Sequence, residues 1–225
     1  MSLLPIANGI WCVNGRFRTP FFTGSVRMSA VAGDGGTVLY SPVALAPADV
    51  AALEALGPVA AIVAPNLVHH LYLRAAAEAF PAARVFVPAG LEAKIGPVPR
   101  AETMTRERPP VLPGGIDHFI FERHAIRETM LFHRPTRTLV TADLLYNYQP
   151  EHGAGEKAFF RLIGNYGAPK VAFYHRFALR GKDAVAELVA QVRQWAPRRI
   201  VMGHGRIIED GDAAGIFAAA WRRFG

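Results

Sequence analysis

Among 225 residues the chain has a single cysteine, Cys12. An intramolecular disulfide is therefore excluded, and so is a metal centre built on thiolates. Any metal must sit on histidine and carboxylate. Charge is also scarce, at 19% of residues against 51% hydrophobic, which excludes a disordered or coiled-coil chain and describes a compact globular one. Long apolar runs are missing too. No stretch reaches the length of a bilayer span, and Met1 to Ile10 lacks a basic start followed by a sustained apolar run. A cytoplasmic location with no membrane partner is expected. The formal charge of +7 could concentrate a polyanion, but the basic residues are scattered, with only short pairs at Arg198-Arg199 and Arg222-Arg223. Without an aromatic-rich basic stretch on which bases could stack, nucleic acid is not expected as a partner, and a small-molecule substrate is.

Hydrophobic patterning supports one domain over residues 1–225, with the Pro/Arg-rich Pro97 to Pro113 as an exposed loop between two halves. In the first half Gly9 to Val13, Val26 to Ala32 and Thr37 to Tyr40 are short β-rich runs separated by glycine-containing turns, which predicts an antiparallel meander. Helical spacing at Pro47 to Leu56, an apolar run at Ala60 to Ala64, helical spacing again at Val68 to Phe80, and a strand at Arg84 to Val87 then predict a partly parallel sheet under helices. The second half has the same grammar. Strands are expected at Asp117 to Glu122, Glu128 to His133, Thr138 to Ala142 and Arg199 to Met202, with helices around Gly155 to Ile163, Lys182 to Trp195 and Asp212 to Phe224. The expected architecture is α/β, a four-layer αββα sandwich of two mixed β-sheets flanked by helices.

Three histidines lie where an expected strand gives way to a loop: His69 and His70 beyond Ala60 to Ala64, and His204 in Met202-Gly203-His204-Gly205. Asp143 ends the run Thr138-Leu139-Val140-Thr141-Ala142 in the same way. Ligands gather beyond the carboxyl ends of strands, because side chains can converge there without filling the core. Imidazole and carboxylate suit zinc, iron(II) or manganese, and a catalytic site keeps a coordination position open for water. Metal-bound water ionises near neutral pH and attacks esters, amides or phosphoesters. Each residue also has a plainer reading. Asp143 can cap a helix, His204 can mark a turn, Pro65-Asn66 is a common turn former, and adjacent histidines often only begin a helix. Asn66 can orient a ligand or donate to a developing oxyanion. His175 reads as a packed or substrate-facing residue, and His118 and His152 as surface or loop.

The runs Ala64-Pro65-Asn66-Leu67-Val68-His69-His70, Phe132-His133-Arg134-Pro135-Thr136-Arg137-Thr138-Leu139-Val140-Thr141-Ala142-Asp143 and Gly203-His204-Gly205 together resemble the metallo-β-lactamase superfamily, and more narrowly its DUF4336 branch. The likeness spans nearly the whole chain. It implies the metallo-β-lactamase-like αββα fold and a reduced metal site, since the superfamily's His-x-His-x-Asp-His loop here has Pro65 and Leu67 in its two leading histidine positions and His69 in its aspartate position. It further implies one divalent metal, zinc first, with His69, His70, Asp143 and His204 as ligands. Glu128 or His124 is a further ligand or a supporting group. Asp143 and Asn66 are the expected catalytic residues of a hydrolase acting on an ester, amide or phosphoester. Two other readings stand beside it: a scaffold that kept the fold and lost the metal, and an iron protein of redox or oxygen chemistry.

Overall fold

The computed structural model describes residues 3–18, 23–149 and 153–225; the expected loop residue His152 lies outside them. Two sheets form the centre. The first has seven strands in sequence order: β1 (Leu4–Ala7), β2 (Ile10–Arg18), β3 (Thr23–Gly33), β4 (Gly36–Tyr40), β5 (Val59–Val63), β6 (Arg84–Pro88) and β7 (Ala101–Met104). The meander β1 to β4 is antiparallel, and the strands from β4 to β7 run parallel. The second sheet contains β8 (Ile116–Phe121), β9 (Glu128–His133), β10 (Thr138–Thr141), β11 (Arg199–Met202) and β12 (Ile208–Glu209) in the order β12-β11-β10-β9-β8, with β10 and β11 parallel.

Period-two alternation assigns each strand face to a layer. Val38 and Tyr40 of β4, Ala61 and Val63 of β5, Leu131 of β9, Val140 of β10 and Val201 of β11 share one apolar cluster, the seam between the sheets. Their neighbours Leu39 and Ile62 face outward onto Leu53 of α1 (Pro47–Glu54), Leu73 and Ala76 of α2 (Leu73–Ala79) and Leu91 of α3 (Leu91–Ile95). On the other side Met130, Leu139, Ile200 and Met202 meet Leu188 and Val192 of α6 (Ala184–Trp195) and Phe217 and Trp221 of α7 (Ala213–Trp221). Three apolar layers separate helix, sheet, sheet and helix, so the αββα sandwich is the architecture observed. The Tyr40 hydroxyl donates to the carbonyl of Thr129 at 2.8 Å and ties the two sheets across the seam.

Three expectations are corrected. The helix expected from Val68 starts only at Leu73, because the Asn66 side-chain oxygen accepts the amides of Val68 and His69 at 2.9 Å each and holds that stretch as an Asx-type loop. The expected linker contains β7, which pairs with β6 along four residues. His118 stands within β8, half-buried, and not in a loop. No helix among the described residues is long and apolar enough to cross a membrane.

Candidate metal centre

The loop after β5, the second residue after β10 and the turn after β11 converge at the carboxyl ends of their strands. Backbone bonds hold them there: Thr129 N–H donates to the Pro65 carbonyl at 2.8 Å, Leu67 N–H to that of Ile126 at 3.0 Å, and Arg27 N–H to that of Gly203 at 2.8 Å. Gly205 has a positive φ of 87°, and a Cβ placed there would collide with the Asn147 backbone, so this turn requires glycine.

His69, Asp143 and His204 meet. His69 Nε2 lies 3.2 Å from Asp143 Oδ2 and 3.1 Å from His204 Nε2, and His204 Nε2 lies 3.4 Å from Asp143 Oδ1. Among the described residues this is the group of three or more ligating side chains that could hold an ion. Each member is oriented from behind. His204 Nδ1 donates to the carbonyl of Ser25 at 2.7 Å, which leaves the neutral ring's lone pair on Nε2. His69 Nδ1 is 2.7 Å from Ser41 Oγ. Ser41 is itself held at a left-handed φ of 60°, which points to a constrained site residue. Asp143 Oδ1 accepts from the Tyr146 hydroxyl at 3.0 Å and Oδ2 from the Asn66 amide at 2.9 Å.

The other expected site residues occupy different places. Glu128, fully buried, accepts from the Thr141 hydroxyl at 2.5 Å, the Ala142 and Asp143 amides at 2.7 and 2.8 Å, and Asn66 Nδ2 at 2.8 Å. Four donors occupy its two oxygens, and it lies behind Asp143, outside the three-residue group. Asn66 is also consumed, since its nitrogen donates to two carboxylates and its oxygen accepts two amides. Both of its N–H groups are therefore taken by Glu128 and Asp143. His124 is directed away, with Nε2 3.0 Å from Nδ1 of His175. His70, next to His69 in the chain, projects onto the wall of the cleft and outside the group. His133, at the opposite end of β9 from Glu128, bonds Thr136 Oγ1 at 2.7 Å, remote from Asp143. Ser25, Ser41 and Thr141 are not among the site residues expected from the sequence, although Thr141 stands in a run that carries the resemblance. Ser25 acts through its backbone carbonyl, which carries no signal in a sequence.

The electrostatics follow from burial. Burial pushes the Asp143 carboxyl up, but the charges and hydrogen bonds of His69 and His204 together outweigh it and hold Asp143 well below the usual carboxylate range. Glu128 is raised, by burial first and then by the negative charge of Asp143, against the pull of its donors. His69 is raised despite its burial, because Asp143 and Glu128 favour the imidazolium.

The trio lines a cleft of about 490 Å³ whose walls are largely apolar and aromatic, including Phe17, Val68, Leu71, Phe160, Ile163 and Tyr174. Phe160 belongs to α4 (Ala154–Leu162), which is fastened to β3 by Glu156 Oε1 accepting the Ser25 amide and hydroxyl at 2.8 and 3.0 Å.

No family model matches the sequence, and no curated protein matches it. Solved structures match it in shape. DIM-1 metallo-β-lactamase exposed to ceftazidime aligns with 100% of this chain and 97% of its own, at a TM-score of 0.68 and 11% identity. A metallo-β-lactamase from Pontibacter korlensis aligns over 98% of both chains, at 0.65 and 12%. FIM-1 from Pseudomonas aeruginosa, in its mono-zinc form, aligns over 99% of this chain and 95% of its own, at 0.63 and 11%.

Proposed function

We propose that this chain, which has the metallo-β-lactamase fold, is a metal-dependent hydrolase whose single divalent ion, zinc first, is held by His69, Asp143 and His204. One observation carries the reading. The two Nε2 atoms stand 3.1 Å apart, with Asp143 Oδ2 3.2 Å from that of His69 and Asp143 Oδ1 3.4 Å from that of His204, and any two ligands set tetrahedrally at zinc distances of about 2.0–2.1 Å are about 3.3 Å apart. The donor chemistry also fits. With Nδ1 bound to the Ser25 carbonyl, His204 presents Nε2 to a carboxylate and a second imidazole, the donor set that a divalent cation takes.

A divalent cation supplies Lewis acidity there, polarising a carbonyl or phosphoryl oxygen and acidifying water. The chain's residues do the rest. The Ser25 carbonyl fixes the tautomer of His204, Ser41 orients His69, and Asn66 with Tyr146 sets the plane of the Asp143 carboxylate. Glu128 holds Asn66 and the backbone at residues 142 and 143. The aromatic walls exclude bulk water from the reacting bond. Within the superfamily we assign the chain to the DUF4336-like branch, on its Asn66 to His70 loop and its Glu128 to His133 strand.

A scaffold without metal is the second reading, favoured by Pro65 and Leu67 in the two leading histidine positions of the loop. Assay of zinc-, iron(II)- and manganese-loaded protein against chromogenic esters, anilides and phosphoesters tests the hydrolase. Turnover lost on chelation, restored by metal and absent in Asp143→Ala is expected. A folded protein that takes up none of the three metals and is inert towards all three classes would leave the scaffold.

A further inference from the structure

We infer, resting on the hydrolase reading, that the ligand and substrate of this cleft is an uncharged carboxylic ester with an apolar acyl chain, and not an anion. The net charge of +7 suggests an acidic substrate, yet among the described residues no lysine or arginine lines the cleft. Away from the metal-binding trio, an anionic group lying along these walls would lose its hydration with no lysine or arginine to replace it. Arg16 and Arg27 line a separate cleft of about 510 Å³. The Arg27 guanidinium is already spent, donating to Asn14 Oδ1 at 3.1 Å and to the Met202 carbonyl at 2.9 Å.

The apolar wall also continues outward. Of the eight exposed large hydrophobic residues among those described, Val68, Leu71 and Tyr174 line the cleft, and Leu162 and Phe173 are chain neighbours of the lining residues Ile163 and Tyr174. Val68 and Leu71 (65% exposed) sit on the loop that carries His69, Leu162 (83% exposed) ends α4, Phe173 and Tyr174 precede α5 (His175–Ala178) and Phe177 lies within it. Each segment also sends a residue into the cleft: Val68 and Leu71, Ile163, and Tyr174. An apolar patch that leads into a polar trio matches an acyl chain lying along the mouth with its carbonyl at His69, Asp143 and His204. In the reaction the oxygen of water bonds to the acyl carbon and the bond from that carbon to the alcohol oxygen breaks. One proton of the water passes to the leaving alkoxide and the other to solvent.

The test begins with the metal-free full chain and the uncharged fluorophore N-phenyl-1-naphthylamine. The fluorophore should bind, and methyl decanoate should displace it at least about tenfold more effectively than decanoate or decyl phosphate. Leu71→Asp, and separately Val68→Asp, both at exposed positions, should weaken fluorophore binding about tenfold, the worth of one apolar side chain in a cleft. The zinc-loaded protein should then prefer p-nitrophenyl decanoate to p-nitrophenyl acetate and to p-nitrophenyl phosphate. Displacement by decyl phosphate or decanoate as readily as by the ester, or no effect of either aspartate, overturns the inference. So does co-sedimentation with phosphatidylcholine vesicles without displacement by the ester, which would assign the patch to a lipid surface. Preferred cleavage of the phosphate leaves the hydrolase standing and removes this substrate class. Selective ester binding without any turnover removes the hydrolase and leaves the ligand class.

Discussion

His124 Nε2 lies 3.0 Å from His175 Nδ1, and both imidazoles are buried behind Asp143. The Ile126 amide donates to His124 Nδ1 at 3.3 Å, so the neutral His124 carries its proton on Nε2 and donates to His175. His175 Nε2 is then the protonated nitrogen, 3.5 Å from the Tyr146 hydroxyl, which in turn donates to Asp143 Oδ1 at 3.0 Å. One backbone amide thus sets the direction of a chain of hydrogen bonds that ends on the aspartate.

This pair should make the metal-free protein sensitive to acid. Burial, and then the proximity of His175, depresses His124 to about 4; burial, with the charge of Arg223, depresses His175 to about 4, against the pull of Asp143 on each. Between about pH 6.5 and 4 the unfolded chain binds protons at these rings and the folded chain does not, so stability falls as pH falls through that window, by a few kcal/mol at most. His69 is raised and contributes in the opposite sense. Urea midpoints measured from pH 7 to 4.5 should fall, and more shallowly in His175→Phe. Equal slopes in the two proteins would contradict the assignment.

Asn66→Asp preserves shape and removes both N–H donors while placing a third carboxylate between Glu128 and Asp143. A loss of about 3 kcal/mol or more is expected, typical of an uncompensated buried charge. It should appear in thermal denaturation as a Tm lowered by roughly 6–12 °C.

Much of this was legible in sequence, and the misses share a cause. Alternation and turn chemistry are local, so most strands of both sheets and the αββα layering could be read from spacing. Strand-end placement brought His69, Asp143 and His204 onto one list. Which of His69 and His70 turns inward depends on the Asn66 side chain refolding residues 66–69 into a loop, a hydrogen-bond choice that helical periodicity hides. In sequence Glu128 is open as a ligand or a supporting group, because its burial under Thr141 and two backbone amides is a matter of register between β9 and β10. The Ser25 carbonyl on His204 joins residues 179 positions apart through backbone alone.

Gly205→Ala should be costly because the residue combines positive φ with backbone contact to Asn147. About 2 kcal/mol or more is expected in urea denaturation, together with weaker metal binding as His204 is displaced. Gly211→Ala, where an added Cβ meets nothing within 4 Å, is the control and should change neither.

Ser41→Ala removes the partner of His69 Nδ1 at 2.7 Å and leaves the ring free to turn. Metal affinity should fall about 10- to 100-fold, the usual effect of losing a group that orients a ligand. Calorimetric titration with zinc reads this directly, with the fold checked by circular dichroism.

The most direct test is the stoichiometry of zinc bound by the folded chain, measured by elemental analysis after dialysis, for the wild type and single variants. One ion per chain is expected in the wild type, in His70→Ala and in His124→Ala, and essentially none in His69→Ala, Asp143→Ala and His204→Ala. A folded wild type that takes up no divalent ion, or a His70→Ala that loses its ion as His69→Ala does, would contradict the account.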